Sequence, residues 1–316
     1  MESFISAKKI SKRYSQHKGK EALSEISFEV PAGCLFGVVG PDGAGKTTLL
    51  RILSTVFAPS SGTATLSGFD LKKDVEEIRR MIGYMPQEFS QYPDLSLYEN
   101  LEFFADIHRV PLDRRKDRIE KMLAFTQLKP FESRKAGKLS GGMKKKLALG
   151  CAMVHEPQIL ILDELSTGVD PVSRRELWSL LSKVISEGVT VLLSTPYMDE
   201  AERCSEVLML YDGRTLTSGA PRDLTAQLPF EMIEVKASPR KLMRKAVQDM
   251  PDVLEWHPVG DRLRLAVASH KEGEHVSEDL RSNLAAEGAS LQILRFAPTT
   301  MEDVFIHHVN VKRKAA

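Results

Sequence analysis

Cysteine is scarce: three residues, Cys34, Cys151 and Cys204, lie far apart in a chain of 316. No pair has the spacing of a metal site or a disulfide framework, which fits a reducing compartment. Long apolar runs are missing too. Nothing approaches the about eighteen consecutive apolar residues of a membrane-spanning helix, so any membrane role is expected to come through a partner. The opening residues, MESFISAKKISKRY, lack the basic-then-apolar order of a signal peptide. Charge of one sign is also absent: 44 Lys+Arg against 43 Asp+Glu leave a net charge of +1. That balance offers no global electrostatic case for nucleic acid or an acidic partner. No internal repeat or low-complexity segment stands out. A soluble, cytoplasmic protein is expected, long enough for two domains.

A further absence is local. In LLSTPYMDEAERC, residues 192–204, an apolar run (Val189, Val191, Leu192, Leu193) ends on Ser194-Thr195-Pro196 and passes into an acidic helical segment. Ligands of open α/β sheets bind in the crevice outside such strand ends. This tip brings a proline there, with no ionisable side chain.

The pattern along the chain is that of an α/β protein. Short strands in the first thirty residues (FISAKKISKRY, ALSEISFEV) lead to CLFGVVG, a Gly-rich turn and the helix TTLLRILSTVF. TATLSGF reads as an edge strand, and VEEIRRMIGYMPQ as a short helix followed by a strand. Residues from about 95 to 150 are helical in pattern; QILILDEL and VTVLLSTP then build two α/β units around SRRELWSLLSKVISEG. Two short strands, EVLMLYDG and RTLTSG, close the unit near Leu228, and Pro229 marks the expected boundary. Beyond it the order is β-α-β-β-α-β, the split βαβ arrangement. A final helix, TTMEDVFIHHV, precedes a basic tail, VKRKAA.

Gly40-Pro41-Asp42-Gly43-Ala44-Gly45-Lys46-Thr47 matches G-x-x-x-x-G-K-S/T, with a strand before it and a helix after it. The glycines let the backbone wrap around phosphates, with N–H groups pointing inward at a helix N-terminus. Lys46 would reach the β- and γ-phosphates, and Thr47 would ligate Mg²⁺. A plain glycine-rich connector would lack this flanking order. Ile159-Leu160-Ile161-Leu162-Asp163-Glu164 is a buried strand ending in two carboxylates. Asp163 suits a direct or second-sphere Mg²⁺ role, and Glu164 is placed to polarise an attacking water. Leu139-Ser140-Gly141-Gly142-Met143 opens another helix, with Ser140 a good N-cap and the glycines exposing N–H groups at its positive end. Alone, this pentapeptide is only a well-made helix start.

The order of these motifs, with Gln87 at a strand end between them, resembles the nucleotide-binding subunit of ABC transporters over residues 1 to about 228. GPDGAGKTTLLRIL, GYMPQ, LYENLEFFA, KLSGGMKKKLAL, GVDP, RRELW, MDEAERC and the closing PTTMEDVFIHHV are similar to bacterial ABC-2 type exporters, drug-efflux ATPases among them. The resemblance implies a P-loop NTPase: a RecA-like core with an antiparallel β subdomain and a helical signature subdomain inserted at about 90–150. Residues 229–316 would form a small C-terminal α+β domain of split βαβ type. It implies ATP and Mg²⁺ as cofactors. Tyr14 falls where an aromatic stacks on adenine, though a strand aromatic packed in the core fits the residue as well. Gly40 to Thr48 would hold the phosphates. Thr47, Gln87 and Asp163 would serve Mg²⁺, with Gln87 linking the site to the transmembrane partner. Leu139 to Met143 would touch the nucleotide of an opposite subunit, and Gly168-Val169-Asp170 would cross the dimer interface. Residues 88–100, with Phe89 and Tyr92, lie where the family docks its membrane subunit.

Expected partners are integral-membrane permeases of ABC-2 type, a second ATP-binding subunit in a homo- or heterodimer and a periplasmic adaptor, with no nucleic acid. The expected location is the cytoplasmic face of a bacterial inner membrane. Where this family places a histidine that contacts the γ-phosphate, the chain has Pro196, which donates nothing from side chain or backbone. Leu165 replaces a usual proline and Asp42 a usual asparagine. Two expectations stay open: a slow site that favours a heterodimer, or adequate hydrolysis by Glu164 in a homodimer. A non-transport ABC ATPase and an ATP-binding regulatory module with weak hydrolysis are the alternatives. Lys144-Lys145-Lys146 is expected to solvate the exposed face of the signature helix, and Lys312-Arg313-Lys314 to sit in a frayed terminus.

Overall fold

A computed structural model describes residues 3–14, 21–248 and 250–314. Two compact units, Met1–Pro221 and Arg222–Ala316, make up the chain. The first carries strands β1 (Ile5–Arg13), β2 (Glu21–Val30) and β3 (Leu35–Val39), helix α1 (Lys46–Leu53), β4 (Ser61–Leu66), β5 (Phe69–Asp70), α2 (Val75–Met81) and β6 (Ile82–Met85). Three helices follow, α3 (Leu97–Ile107), α4 (Leu112–Phe125) and α5 (Gly141–Met153). After them come β7 (Ile159–Asp163), α6 (Pro171–Ser186), β8 (Thr190–Thr195), α7 (Met198–Ala201), β9 (Glu206–Tyr211) and β10 (Arg214–Gly219). Helix α8 (Pro221–Ala226) begins where the first unit ends.

Two sheets organise this unit. The order β2-β1-β4-β5 is antiparallel, and β10-β9-β3-β8-β7-β6 is parallel except for its β9–β10 hairpin. TATLSGF therefore does not read as an edge: β4 lies inside its sheet, between β1 and the two-residue β5. Strands β3, β7 and β8 are buried along their whole length, as expected of parallel strands covered on both faces. Their register sets which strand ends lie side by side. Val39 pairs with Thr195, Asp163 with Ser194, and Met85 with Leu162. Four strands thus end within two residues of one level, and the residues that follow them share one rim.

The helical insertion is anchored by its caps. Ser96 and Glu99 form a capping box at the start of α3. The side chain of buried Asn100 accepts from the N–H of Tyr92 at 2.8 Å and donates to the carbonyls of Tyr92, Leu95 and Ser96. One amide therefore ties down the loop between Gln87 and α3.

The second unit holds β11 (Glu231–Ser238), α9 (Arg240–Gln248), β12 (Glu255–Val259), β13 (Arg262–Val267), α10 (His270–Ala286), β14 (Ser290–Ala297) and α11 (Met301–Lys314). Its sheet, β12-β13-β11-β14, is antiparallel throughout, the split βαβ order. Ile233, Val235, Leu263 and Leu265 pack with Met243 and Val247 of α9 and Val276, Leu280 and Leu284 of α10. The alternate residue Arg264 points the other way, donating to Asp303 of α11 at 2.8 and 3.1 Å. Helix α11 continues through Lys312, Arg313 and Lys314 instead of fraying there. Three cations in its last turn suit the negative end of a helix. Ala315 and Ala316 lie outside the described residues, as do Met1 and Glu2 of the leader reading.

No helix among the described residues is long and apolar enough to cross a membrane.

Candidate functional site

The level strand ends carry the site. Gly40 follows β3, Pro196 follows β8, Glu164 follows β7 and Gln87 lies two residues beyond β6. Around them Ala22, Asp42, Gly43, Gly45, Lys46, Thr47, Thr48, Gln87 and Glu164 line an open cleft of about 300 Å³. Gly45 stands at the N-cap of α1 with φ +105, and an added Cβ would come within 2.8 Å of the Ala22 carbonyl. Only glycine allows the turn that leaves the helix N-terminus facing the cleft.

Lys46 is 4% exposed, and its ammonium donates to the carbonyls of Gly40 (2.8 Å) and Pro41 (3.1 Å). It lies 3.6 Å from Oε1 of Glu164 and 3.8 Å from Oδ1 of Asp42, whose carboxylate is in solvent. Thr47 and Ser194 both donate their hydroxyls to Oδ1 of Asp163, at 3.1 and 2.5 Å. The second oxygen, Oδ2, is buried and has no hydrogen-bond partner among the described residues. A buried carboxylate oxygen without a donor is costly unless a cation meets it. Those oxygens, with the Thr47 hydroxyl, are hard donors of the kind Mg²⁺ takes.

Glu164 is 6% exposed and sits in the left-handed region, φ +51. Its N–H donates to Oγ and O of Ser194. Its Oε2 accepts from Gln87 Nε2 at 2.9 Å and from the Thr167 hydroxyl at 3.1 Å. Gln87 and Glu164, far apart in sequence, are thus direct partners.

Tyr14 is half-buried just beyond β1, with its hydroxyl 3.2 Å from Thr48 Oγ1 and its ring edge-on to Phe57. That puts its ring beside the phosphate-loop helix. Pro196 directly follows Thr195, whose carbonyl accepts from Gly40 N–H at 3.3 Å. No imidazole takes its place among the described residues of this unit. His108 and His155 stack on each other at 3.7 Å, and His155 bonds Ile82 O at the opposite end of β6. His17 lies outside the described residues.

The signature residues do not line the phosphate cleft of their own chain. Ser140 caps α5, accepting from Met143 N–H, and exposed Gly141 lies against Gly168. A Cβ on Gly142 would fall 2.3 Å from Ser173 Oγ, so only a glycine lets α5 approach the start of α6. Asp170 caps α6 through the N–H groups of Val172 and Ser173. The signature glycines Gly141 and Gly142 therefore lie against Gly168 and the Asp170–Ser173 helix start. Phe89 and Tyr92 are both exposed, Tyr92 edge-on to Phe103.

The three lysines after the signature do not coat a solvent face. Lys146 is buried on Glu176 at 2.7 Å, Lys144 lies over the Phe89 ring, and Lys145 donates to the carbonyls of Gln87 and Glu164. The remainder of α5, Leu147 to Met153, is buried on all sides, so the helix has no outer face for them there. Ser194 and Thr167 escaped the sequence reading as well. Glu200, in the quoted acidic segment, is a buried hub that accepts from Ser166, Arg174 and Thr195. The one available signal was that Ser194-Thr195, like Asp163-Glu164, closes an apolar run.

Known proteins bear on this geometry. A family model described as ABC transporter matches residues 23–167. The probable multidrug ABC transporter ATP-binding protein YbhF of Escherichia coli is 41% identical over 290 residues, 91% of this chain and 49% of that protein. The chain thus spans about half the length of that relative. Nod factor export ATP-binding protein I of Burkholderia thailandensis is 33% identical over 96% of this chain and 95% of its own. Daunorubicin resistance ATP-binding protein DrrA3 of Streptomyces coeruleorubidus is 31% identical, covering 94% and 92%. Among solved structures, the ATP-binding subunit of an ABC transporter superposes with a TM-score of 0.64 at 28% identity, over 71% of this chain and 93% of that one. A dimeric ATP-binding cassette in a post-hydrolysis state with ADP and Pi superposes at 0.63 and 25% identity, over 68% and 98%. With a phosphate cradle, an acidic strand end and a signature helix in this order and register, the chain belongs to the ATP-binding proteins of the ABC transporter family.

Proposed function

We propose that this chain is the ATP-binding and ATP-hydrolysing subunit that powers an ABC-2 type membrane exporter. It would work by ATP-driven dimerisation with a second nucleotide-binding subunit. The observation that carries this reading is the constellation Lys46–Glu164–Gln87, held at one rim by the register of four strands. The Glu164 carboxylate is the general base or polarising group for water, and Lys46 the cation for the terminal phosphates. Thr47 and Gln87, with Asp163 beside or behind them, would hold Mg²⁺, which neutralises phosphate charge as it shifts to the leaving group. Tyr14 would stack on the base. The Lys46 ammonium is engaged by two carbonyls and Glu164, partners that phosphate oxygens would replace.

Ser140 to Gly142 and Gly168 to Asp170 occupy one surface and leave the chain's own cleft, which supports their acting on a neighbour's nucleotide. The multidrug, Nod factor and daunorubicin names of the relatives support export. Permease subunits would dock near Phe89 and Tyr92, placing the chain on the cytoplasmic face of the inner membrane, with a periplasmic adaptor as a further partner. Residues 1–228 would be the nucleotide-binding domain and 229–316 a C-terminal domain. Pro196 favours a second reading, a slow or regulatory site that pairs with a competent sister subunit.

Binding of ATP to the purified full chain, measured with and without Mg²⁺, tests the proposal. Magnesium-dependent affinity that is lost in Lys46→Ala is the expected result. Equal affinity in the variant, or none in the parent, overturns it.

A further inference from the structure

The lysine at position 145 enters the site from an unexpected side. It sits on α5, one turn beyond the glycines of the signature. Its Nζ donates to the carbonyl of Gln87 at 3.2 Å and to that of Glu164 at 3.1 Å. Burial pulls its pKa down, while the Glu164 and Asp163 carboxylates act to raise it, so the ammonium lies in the field of both acids.

Glu164 is held in a conformation that side-chain-bearing residues rarely adopt, φ +51. Such backbone is strained and persists only where its surroundings fix it. Ser194 fixes the N–H side. On the carbonyl side stand Lys145 and the N–H of Thr167, at 3.3 Å. Ser194 belongs to β8 and Thr167 to the turn after β7, whereas Lys145 comes from the helical insertion. The same ammonium holds the main chain of Gln87, whose side chain donates to the Glu164 carboxylate. The contacts close a ring: Lys145 to Gln87, Gln87 to Glu164, and Glu164 back to Lys145.

We propose that Lys145 is a positioning residue for hydrolysis: by gripping the carbonyls of Gln87 and Glu164 it aligns the Glu164 carboxylate and makes that alignment depend on where the signature helix sits. The inference rests on the ATPase reading above. Helix α5 begins with the residues expected to seat against a neighbour's nucleotide. Any tilt of α5 on seating moves the ammonium, and with it the backbone that aims Glu164. Hydrolysis in one cleft thereby depends on occupancy of the other.

The test uses the full chain with Lys145→Met, which keeps the length and removes the donors, and Lys145→Arg, whose fork can still donate to two carbonyls. Phosphate release is followed against Mg-ATP concentration. Misplacement of an aligned group costs about ten- to a hundredfold in kcat, and KM is expected to stay within about twofold, because uniform binding is untouched. Lys145→Arg restores most of the rate. An unchanged kcat in Lys145→Met, or no rescue by Lys145→Arg when both variants melt at the parent temperature, overturns the proposal. A parent chain without turnover refutes the ATPase reading instead. Hydrogen exchange of the nucleotide-free chain then decides on Lys145 alone. Faster exchange at residues 87–89 and 164–168 in Lys145→Met, reversed in Lys145→Arg, is expected; identical exchange overturns it.

Discussion

Gly40 and Thr195 meet through their backbones, the N–H of the first donating to the carbonyl of the second at 3.3 Å. Residue 196 therefore starts beside the phosphate loop, and Pro196 brings no donor to it. Replacing Pro196 with His should raise steady-state turnover by up to about a hundredfold, the scale of one pre-positioned electrostatic contact. ATP affinity should change little. An unchanged rate of phosphate release would sink the slow-site reading and leave Glu164 sufficient by itself.

Glu164→Gln keeps an acceptor for Gln87 and Thr167 but removes the negative charge. Turnover should fall about a hundredfold or more, the usual weight of a general base. Nucleotide binding should survive. ATP should then hold an associated state that outlasts that of the parent chain, visible by sedimentation as a persistent dimer.

Ser194 donates to Asp163 Oδ1 at 2.5 Å and accepts from the Glu164 N–H at 3.0 Å. Ser194→Ala takes one of two partners from each of two buried neighbours: Thr47 still reaches Asp163, and the residue 194 carbonyl still accepts from the Glu164 N–H. A loss of about 1–3 kcal/mol is expected, read from urea unfolding curves. The concentration of Mg²⁺ at half-maximal ATP binding should rise with it, because Asp163 loses one of the two hydroxyls that orient it.

In the second unit Asp303 is buried against Arg264, His257 and the N–H of Thr300. Burial pushes its pKa up, but these donors win and hold it at about 2, below the ordinary 3.8. A depressed carboxylate contributes stability above its unfolded value and loses it as pH falls through the folded one. The advantage of the parent over Asp303→Asn should be full above about pH 4 and shrink towards about pH 2. At neutral pH, Asp303→Ala leaves the buried Arg264 guanidinium only Glu234 at 3.4 Å and the Pro298 carbonyl as partners, a loss of about 1–3 kcal/mol in denaturant titration.

The phosphate loop, the acidic strand end and the signature helix were legible because each is a contiguous string whose chemistry is local. The split βαβ order of the second unit was legible too, since alternation and turn residues mark every strand. Ser194 was not. Its role depends on β7 and β8 pairing so that Asp163 faces it, and no local pattern states that register. Lys145 and Lys146 misled for a related reason. Three adjacent lysines read as a solvated face, yet α5 is enclosed by α6 and the Gln87 turn, and two of the cations find anionic or carbonyl partners inside. TATLSGF looked like an edge because the strand that flanks it, Phe69–Asp70, is too short to recognise.

The close approach of Gly142 to Ser173 leaves no room even for a methyl group. The signature and the Gly168–Asp170 turn are consequently welded into a single rigid facet. In the proposed pairing a second cassette would accept or reject both together, so a substitution that disturbs either should be felt in both nucleotide clefts.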